Sequence, residues 1–182
     1  MKKYEFTGEE KLVDNHTLHR IRAVRDFGAV KAGDLGGWIE KEENLSHNGN
    51  AWVGDNAQVI GAVWVGGNAR VGDNAWVGGN ARVGDNAWVG GAARITGNAW
   101  VGGAARITGN ADFSVISGFG RFSRTTTFFR CQDGEIRTQC GCFYGDLDEF
   151  RAKVKETHGE SKMAKEYLMI ADLMEMHFAS EE

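Results

Sequence analysis

Tryptophan and arginine alternate at a fixed spacing through the middle of this 182-residue chain. Every sixth position from residue 52 carries one of the two, apart from a single glutamine. The series is Trp52, Gln58, Trp64, Arg70, Trp76, Arg82, Trp88, Arg94, Trp100 and Arg106. An indole can stack on an aromatic ring, and a guanidinium pairs well with phosphate or carboxylate. The series can therefore bind an aromatic anion, or it can stabilise its own surface through cation–π contacts.

Candidate general bases are scarce around this series. No histidine lies between Val53 and Ile107, whereas His47 precedes that stretch and His158 follows it. Proton transfer at neutral pH needs a group with a pKa near that pH, most often histidine. Neither a GxxxxGK[ST] phosphate loop nor a GxSxG nucleophile motif is present. His47 is thus the candidate base of the chain, with an ordinary turn histidine as the alternative, and His16 and His19 are expected on the surface.

Three cysteines, Cys131, Cys140 and Cys142, could form a zinc site together with His158. Their spacing, C-x8-C-x-C-x15-H, lacks the usual knuckle of two to four residues. Buried thiols that pack as small hydrophobes are the favoured alternative. We therefore predict no metal and no cofactor. The odd number of cysteines also fits a reducing compartment better than a disulfide framework.

A six-residue repeat must position the tryptophans and arginines. An aliphatic residue follows each of them from Val53 to Ile107, and Phe113 and Phe119 are expected to continue the register. Ile39 and Leu45 fit the same register upstream, with two extra residues before Val53. A small residue, mostly alanine, precedes nearly every member of the series. These triplets predict short strands with their first and third residues inward, separated by glycine-rich corners.

Three such strands close a triangular coil of about 18 residues, so residues 18 apart should stack about 4.8 Å from each other. One predicted face carries Trp52, Arg70, Trp88 and Arg106. A second carries Trp64, Arg82 and Trp100, and the third carries Gln58, Trp76, Arg94 and Asp112. Each guanidinium would then lie between indoles, at about 0.5–1 kcal/mol per exposed contact.

The segment Val71-Gly72-Asp73-Asn74-Ala75-Trp76 resembles the motif of the hexapeptide-repeat family, and the resemblance extends over residues 39–125. It implies a left-handed parallel β-helix and a homotrimer. Many family members are acyltransferases that use acyl-CoA or acyl carrier protein, with a histidine base between subunits and often an extruded loop. No such loop interrupts Val53 to Ile107 here. The flanks, 34–39 and 140–143, are similar to uncharacterised hexapeptide-repeat proteins of phages and prophages.

The predicted fold is therefore mainly β, a triangular solenoid between two end units. Residues 1–38 are expected to form an N-terminal cap, and residues 39–126 the β-helix. Residues 127–182 should form a small α+β unit with a hairpin around Asp133-Gly134 and two helices, at about 147–156 and 162–178. Solenoid ends need such covers because they expose core and strand edges.

Composition narrows the partners. The net charge of −4 gives no overall basic field, so binding of duplex nucleic acid is not expected. The N-terminus has two lysines without an apolar run behind them, and no stretch approaches the roughly 20 apolar residues of a membrane span. We expect a cytoplasmic protein, in the host cytoplasm if it is phage-encoded.

These observations predict a non-enzymatic homo-oligomer that binds a small anionic, nucleotide-like ligand in clefts between subunits. The predicted ligand-binding residues are Arg70, Trp76, Arg82, Trp88, Arg94, Trp100 and Arg106. A phage protein of this kind could sequester a host immune signal. One alternative is a structural or protein-binding solenoid, in which the series only stabilises the faces. The second alternative is an acyl-CoA-dependent acyltransferase.

Overall fold

The computed structural model, which describes residues 1–179, has a mainly β architecture with two C-terminal helices. Three strands form the N-terminal part: β1 (Tyr4–Val13), β2 (His16–Ala23) and β3 (Leu35–Ile39). β1 and β2 pair antiparallel, β2 pairs antiparallel with β3, and β3 pairs in parallel with the first strands of the repeat. The N-terminal strands therefore continue one sheet of the solenoid.

Ten two-residue strands then follow at six-residue intervals between residues 52 and 107. They are β4 (Trp52–Val53), β5 (Gln58–Val59), β6 (Trp64–Val65), β7 (Arg70–Val71), β8 (Trp76–Val77), β9 (Arg82–Val83), β10 (Trp88–Val89), β11 (Arg94–Ile95), β12 (Trp100–Val101) and β13 (Arg106–Ile107). Strands 18 residues apart pair in parallel, in the columns β4-β7-β10-β13, β6-β9-β12 and β3-β5-β8-β11. The predicted 18-residue coil and its three faces are confirmed.

Alanines and aliphatic residues fill the interior of the coils. The alanines that precede the strands and the valines and isoleucines that end them are at most 1% exposed. The corners need left-handed backbone, which Gly79 and Asp73 adopt with φ of 73° and 52°. Asp73 gains a further contact, since its carboxylate accepts a hydrogen bond from the Gly91 N–H at 2.7 Å. Aspartate at a corner thus links one coil to the next.

The direction of the hydrogen bonds gives the two ends of the solenoid opposite needs. Each coil donates its N–H groups to the coil that follows, as Trp76 does to the Ala93 carbonyl at 2.9 Å. The first coil therefore leaves carbonyls to be satisfied, and Lys3 Nζ donates to the Ala51 carbonyl at 2.6 Å. The last coil leaves N–H groups, and Thr127 Oγ1 accepts from the Trp100 N–H at 3.0 Å.

Parallel pairing ends at Ile107, and an antiparallel sheet follows. Its strands are β14 (Phe113–Phe119), β15 (Arg124–Arg130), β16 (Ile136–Cys140) and β17 (Phe143–Asp146). The expectation that Phe113 and Phe119 continue the six-residue register is wrong, because no Gly-x-Asn corner follows Phe113 and the chain stays extended. Asp112 likewise does not stack on Arg94. Its carboxylate accepts from the Thr108 N–H at 2.8 Å in a short 3-10 turn.

Two helices, α1 (Leu147–His158) and α2 (Lys162–Phe178), pack against this sheet, and Ser161 caps α2 as its sequence position indicates. The hairpin between β15 and β16 also matches the prediction. Neighbouring residues on β15 belong to different cores: Phe129 packs with the solenoid interior and Phe128 with the helices. β15 is therefore the wall shared by both. Neither helix in residues 1–179 is long and apolar enough to cross a bilayer.

Candidate functional site

The outward side chains of the coils form three faces, named here from their columns. Face A carries Trp38, Gln58, Trp76 and Arg94; face B carries Trp52, Arg70, Trp88 and Arg106; face C carries Trp64, Arg82 and Trp100. Sequence reasoning missed Trp38. The signal was available, because Ile39 fits the repeat register and Trp38 precedes it as the other tryptophans precede valine.

On faces A and B, arginine side chains cover indoles. The Arg94 guanidinium lies 4.9 Å from the centre of the Trp76 ring, and that of Arg106 lies 5.1 Å from Trp88. In both pairs the arginine comes from the next coil, 18 residues later. Both indoles also lie against the glycine two residues ahead, where a Cβ would overlap the ring. These tryptophans are consequently only partly accessible.

Trp52 is not an outward, accessible indole as the series predicts. It is 9% exposed and meets the Phe27 ring edge-on, with the ring centres 5.4 Å apart. Phe27 lies in the segment between β2 and β3, which folds over the first coil. The N-terminal part of the chain thus covers the end of face B.

Face C has the most accessible aromatic surface of the three. Trp64 is 44% exposed and Trp100 is 39% exposed. Arg82 is exposed between them, one coil from each. Within the part of the chain that the structure describes, its guanidinium meets neither a carboxylate nor an aromatic ring. Face C therefore presents two indoles flanking one unpaired positive charge.

His47 is held by the N-terminal part of the chain. Its Nε2 lies 2.8 Å from Glu42 Oε1, and its Nδ1 accepts from the Lys3 N–H at 3.3 Å. The ring also stacks on Tyr4, with 4.4 Å between the ring centres. Hydrogen bonding to His47 and Lys2 holds the pKa of Glu42 below its ordinary value. With both nitrogens engaged, His47 has no free lone pair with which to accept a proton.

The other two N-terminal histidines also pair with carboxylates. His16 Nδ1 lies 2.8 Å from Glu40 and His19 Nδ1 lies 3.2 Å from Glu10. The His16 hydrogen bond lowers the pKa of Glu40. Both histidines stabilise the N-terminal strands, as the sequence-based interpretation had it.

The candidate zinc ligands do not converge. Cys131 is 4% exposed and belongs to the solenoid core, where burial raises the pKa of its thiol against a hydrogen bond from Tyr144. Cys140, Cys142 and His158 instead line a cavity of about 530 Å³ beside α1. Among residues 1–179 no three metal-binding side chains come together. The sequence gave no signal for the cavity, because its walls come from distant segments.

Comparison with known proteins gives limited similarity. No family model matches the chain. The chain is similar to a protein of Escherichia coli (strain K12) described as "Uncharacterized acetyltransferase YdcK", with 37% identity over 70 residues. The similarity covers 34% of this chain and 22% of that protein, so most of the relative has no counterpart in the match. This similarity and the β-solenoid together fit a hexapeptide-repeat family.

Proposed function

We propose that this chain is a non-enzymatic, homo-oligomeric binding protein that holds a small anionic, nucleotide-like ligand on face C. The carrying observation is the arrangement of Trp64, Arg82 and Trp100, two exposed indoles on either side of a guanidinium without a partner. Faces A and B have the same residue types but use their arginines to cover their own tryptophans.

The geometry of face C matches the two parts of such a ligand. Successive coils are about 4.8 Å apart, so Arg82 lies within one strand spacing of each indole. A base stacked on an indole contributes about 1–3 kcal/mol, and a guanidinium forms bidentate hydrogen bonds with phosphate. A nucleotide can satisfy both groups at once, with its base on Trp64 or Trp100 and its phosphate on Arg82.

A subunit cleft would complete the site. A single flat face leaves a stacked base open to water on its other side, whereas a second copy of the chain would cover it. Exposed tryptophans on a β-face are typical of surfaces that contact another molecule. Trimerisation, which the hexapeptide resemblance implies, would place three equivalent clefts around the solenoid axis.

Binding without turnover fits the surroundings of face C. The coils from Val53 to Ile107 contain no histidine, and His47 is engaged by Glu42 and Lys3. A protein that holds a nucleotide without converting it lowers the free concentration of that nucleotide. In a phage-encoded protein, to which the flanking segments point by resemblance, this would sequester a host immune signal.

A second candidate function is acyl transfer. It is favoured by the similarity to the Escherichia coli protein described as an acetyltransferase. In that case the solenoid faces would bind an acyl-CoA, whose adenine and phosphates have the same chemistry as the proposed ligand. His47 would first have to leave Glu42 and Lys3 to act as a base.

Thermal unfolding with and without ligands tests the proposal. A ligand at 100 times its Kd adds about 2.7 kcal/mol to the free energy of unfolding. We expect ATP, GMP or a cyclic dinucleotide to raise the Tm of the wild type, and Arg82→Gln to lose most of that rise. Arg70→Gln, which removes an exposed arginine of face B, is the matched control and should keep it. Equal losses in both variants, or a rise with acetyl-CoA alone, would overturn the face C assignment.

A further inference from the structure

The cavity beside α1 has the properties of a second, separate binding site. Its volume of about 530 Å³ lies within the range of small-molecule pockets. One wall comes from the loop between β14 and β15, another from the β16–β17 turn, and the remainder from α1 and the start of α2. It belongs to the C-terminal unit and shares no residue with the three solenoid faces.

The floor of the cavity is apolar and largely aromatic. It is formed by Phe143, Phe150, Val154, Met163 and Tyr167. Phe150 and Val154 are 3% and 5% exposed, so they are fixed in the core beneath the cavity. The Tyr167 hydroxyl is turned to the Phe119 carbonyl, to which it donates at 3.1 Å. This floor suits a hydrocarbon or aromatic group.

The rim carries positive charge without matching negative charge. Arg121, Arg124 and Lys153 line the opening, together with His158. Lys153 is paired with Glu156 at 2.9 Å, which lies outside the lining. Of the residues of the described chain that line the cavity, none is acidic, and neither Arg121 nor Arg124 has a carboxylate partner there.

The two unpaired arginines are already oriented at the rim. Both lie over the exposed ring of Phe122, Arg121 at 5.4 Å and Arg124 at 5.2 Å from its centre. This contact restricts two long side chains that would otherwise move freely in water, so less conformational entropy is lost when an anion binds. A carboxylate or phosphate placed between them would form charge-assisted hydrogen bonds.

We propose that this cavity binds a small amphipathic anion, whose carboxylate or phosphate lies between Arg121 and Arg124 and whose apolar body rests on the aromatic floor. The assignment goes beyond the face C site, because it uses different residues and a ligand with a greasy rather than a planar polar body. Fatty carboxylates and alkyl phosphates share this chemistry.

Titration with the fluorescent anion 1-anilinonaphthalene-8-sulfonate tests the proposal on the whole protein. We expect saturable binding of one probe per chain. Decanoate or decyl phosphate should displace the probe at concentrations at least tenfold lower than decanol does, and the more effective of the two identifies the head group. Displacement by decanol or decyltrimethylammonium at equal concentrations would contradict an anion site.

Variants locate the site. Arg121→Gln with Arg124→Gln should weaken probe binding at least tenfold, and Thr157→Trp, which adds bulk at an exposed lining position, should block it. Arg82→Gln on face C is the control and should leave the titration unchanged. Circular dichroism and the Tm show whether each variant is folded. Wild-type binding in the folded double arginine variant, or no binding to the wild type at all, would overturn the proposal.

Discussion

Faces B and C are built from the same residue types at the same spacing, yet they present different surfaces. On face B, Trp52 is buried under Phe27 and Arg106 covers Trp88, whereas Trp64 and Trp100 on face C stay more than one-third exposed. The difference lies in what surrounds the coils. A ligand-binding surface on a repeat is therefore decided by contacts outside the repeat as much as by the repeated residues.

The largest effect is expected when the cover of face B is removed. Phe27 is 7% exposed, so Phe27→Ala should lower the free energy of unfolding by about 3–5 kcal/mol. It should also expose Trp52 and make that end of face B resemble face C. Urea unfolding measures the first effect and acrylamide quenching of tryptophan fluorescence the second. Phe122→Ala, at an exposed ring, is the control for stability, and unchanged quenching in Phe27→Ala would show that Phe27 does not cover Trp52.

The pH dependence of stability should report on the same end of the solenoid. Burial, with a smaller contribution from Arg25, lowers the pKa of Lys3 from 10.5 to about 8. The unfolded chain therefore binds more protons than the folded chain between pH 8 and 10.5, so this group makes the protein more stable as pH rises through that range. The gain is up to about 3 kcal/mol.

Lys3→Met isolates this contribution, because the difference in unfolding free energy between wild type and variant cancels the other titrating groups. We expect the wild type to gain on the variant as the pH rises from 8 to 10.5. A difference that is flat over that range would mean that the Lys3 ammonium is not buried beneath Phe27 and the Ala51 carbonyl.

Ligand binding should separate the two faces directly. Trp100→Ala removes an exposed indole of face C and should raise the Kd for the best nucleotide at least tenfold, about 1.4 kcal/mol. Trp88→Ala removes the covered indole of face B and should change that Kd less than threefold. Isothermal titration calorimetry measures both. If Trp88→Ala has the larger effect, the binding surface is face B.

The smallest effect concerns the arginines themselves. Arg94→Gln and Arg106→Gln remove cation–π contacts with Trp76 and Trp88 and should each lower the free energy of unfolding by about 0.5–1 kcal/mol. Arg82→Gln breaks no such contact and should be nearly neutral. Urea unfolding curves decide the matter. A cost for Arg82→Gln equal to the other two would mean that its guanidinium is used for stability.

The repeat made the solenoid predictable from sequence, because a period of six with small and aliphatic residues permits few packing arrangements. The stacking of Trp88 on Arg70 and Arg106 followed from the 18-residue coil alone. Burial of Trp52 did not follow, because it depends on a contact with Phe27, 25 residues away in a segment without periodicity. The cavity was equally inaccessible, since Arg124, Cys140 and His158 come together only through the packing of α1 and α2 on the sheet.

Native mass spectrometry of the freshly purified protein, with nucleotides and acyl-CoA offered separately, tests the central claim most directly. We predict a trimer that carries up to three additional masses of nucleotide size, lost in Arg82→Gln and kept in Arg70→Gln. A monomer, or an oligomer that takes up no nucleotide, would contradict a subunit cleft on face C. Uptake of acyl-CoA alone would favour acyl transfer and make His47 the residue to mutate.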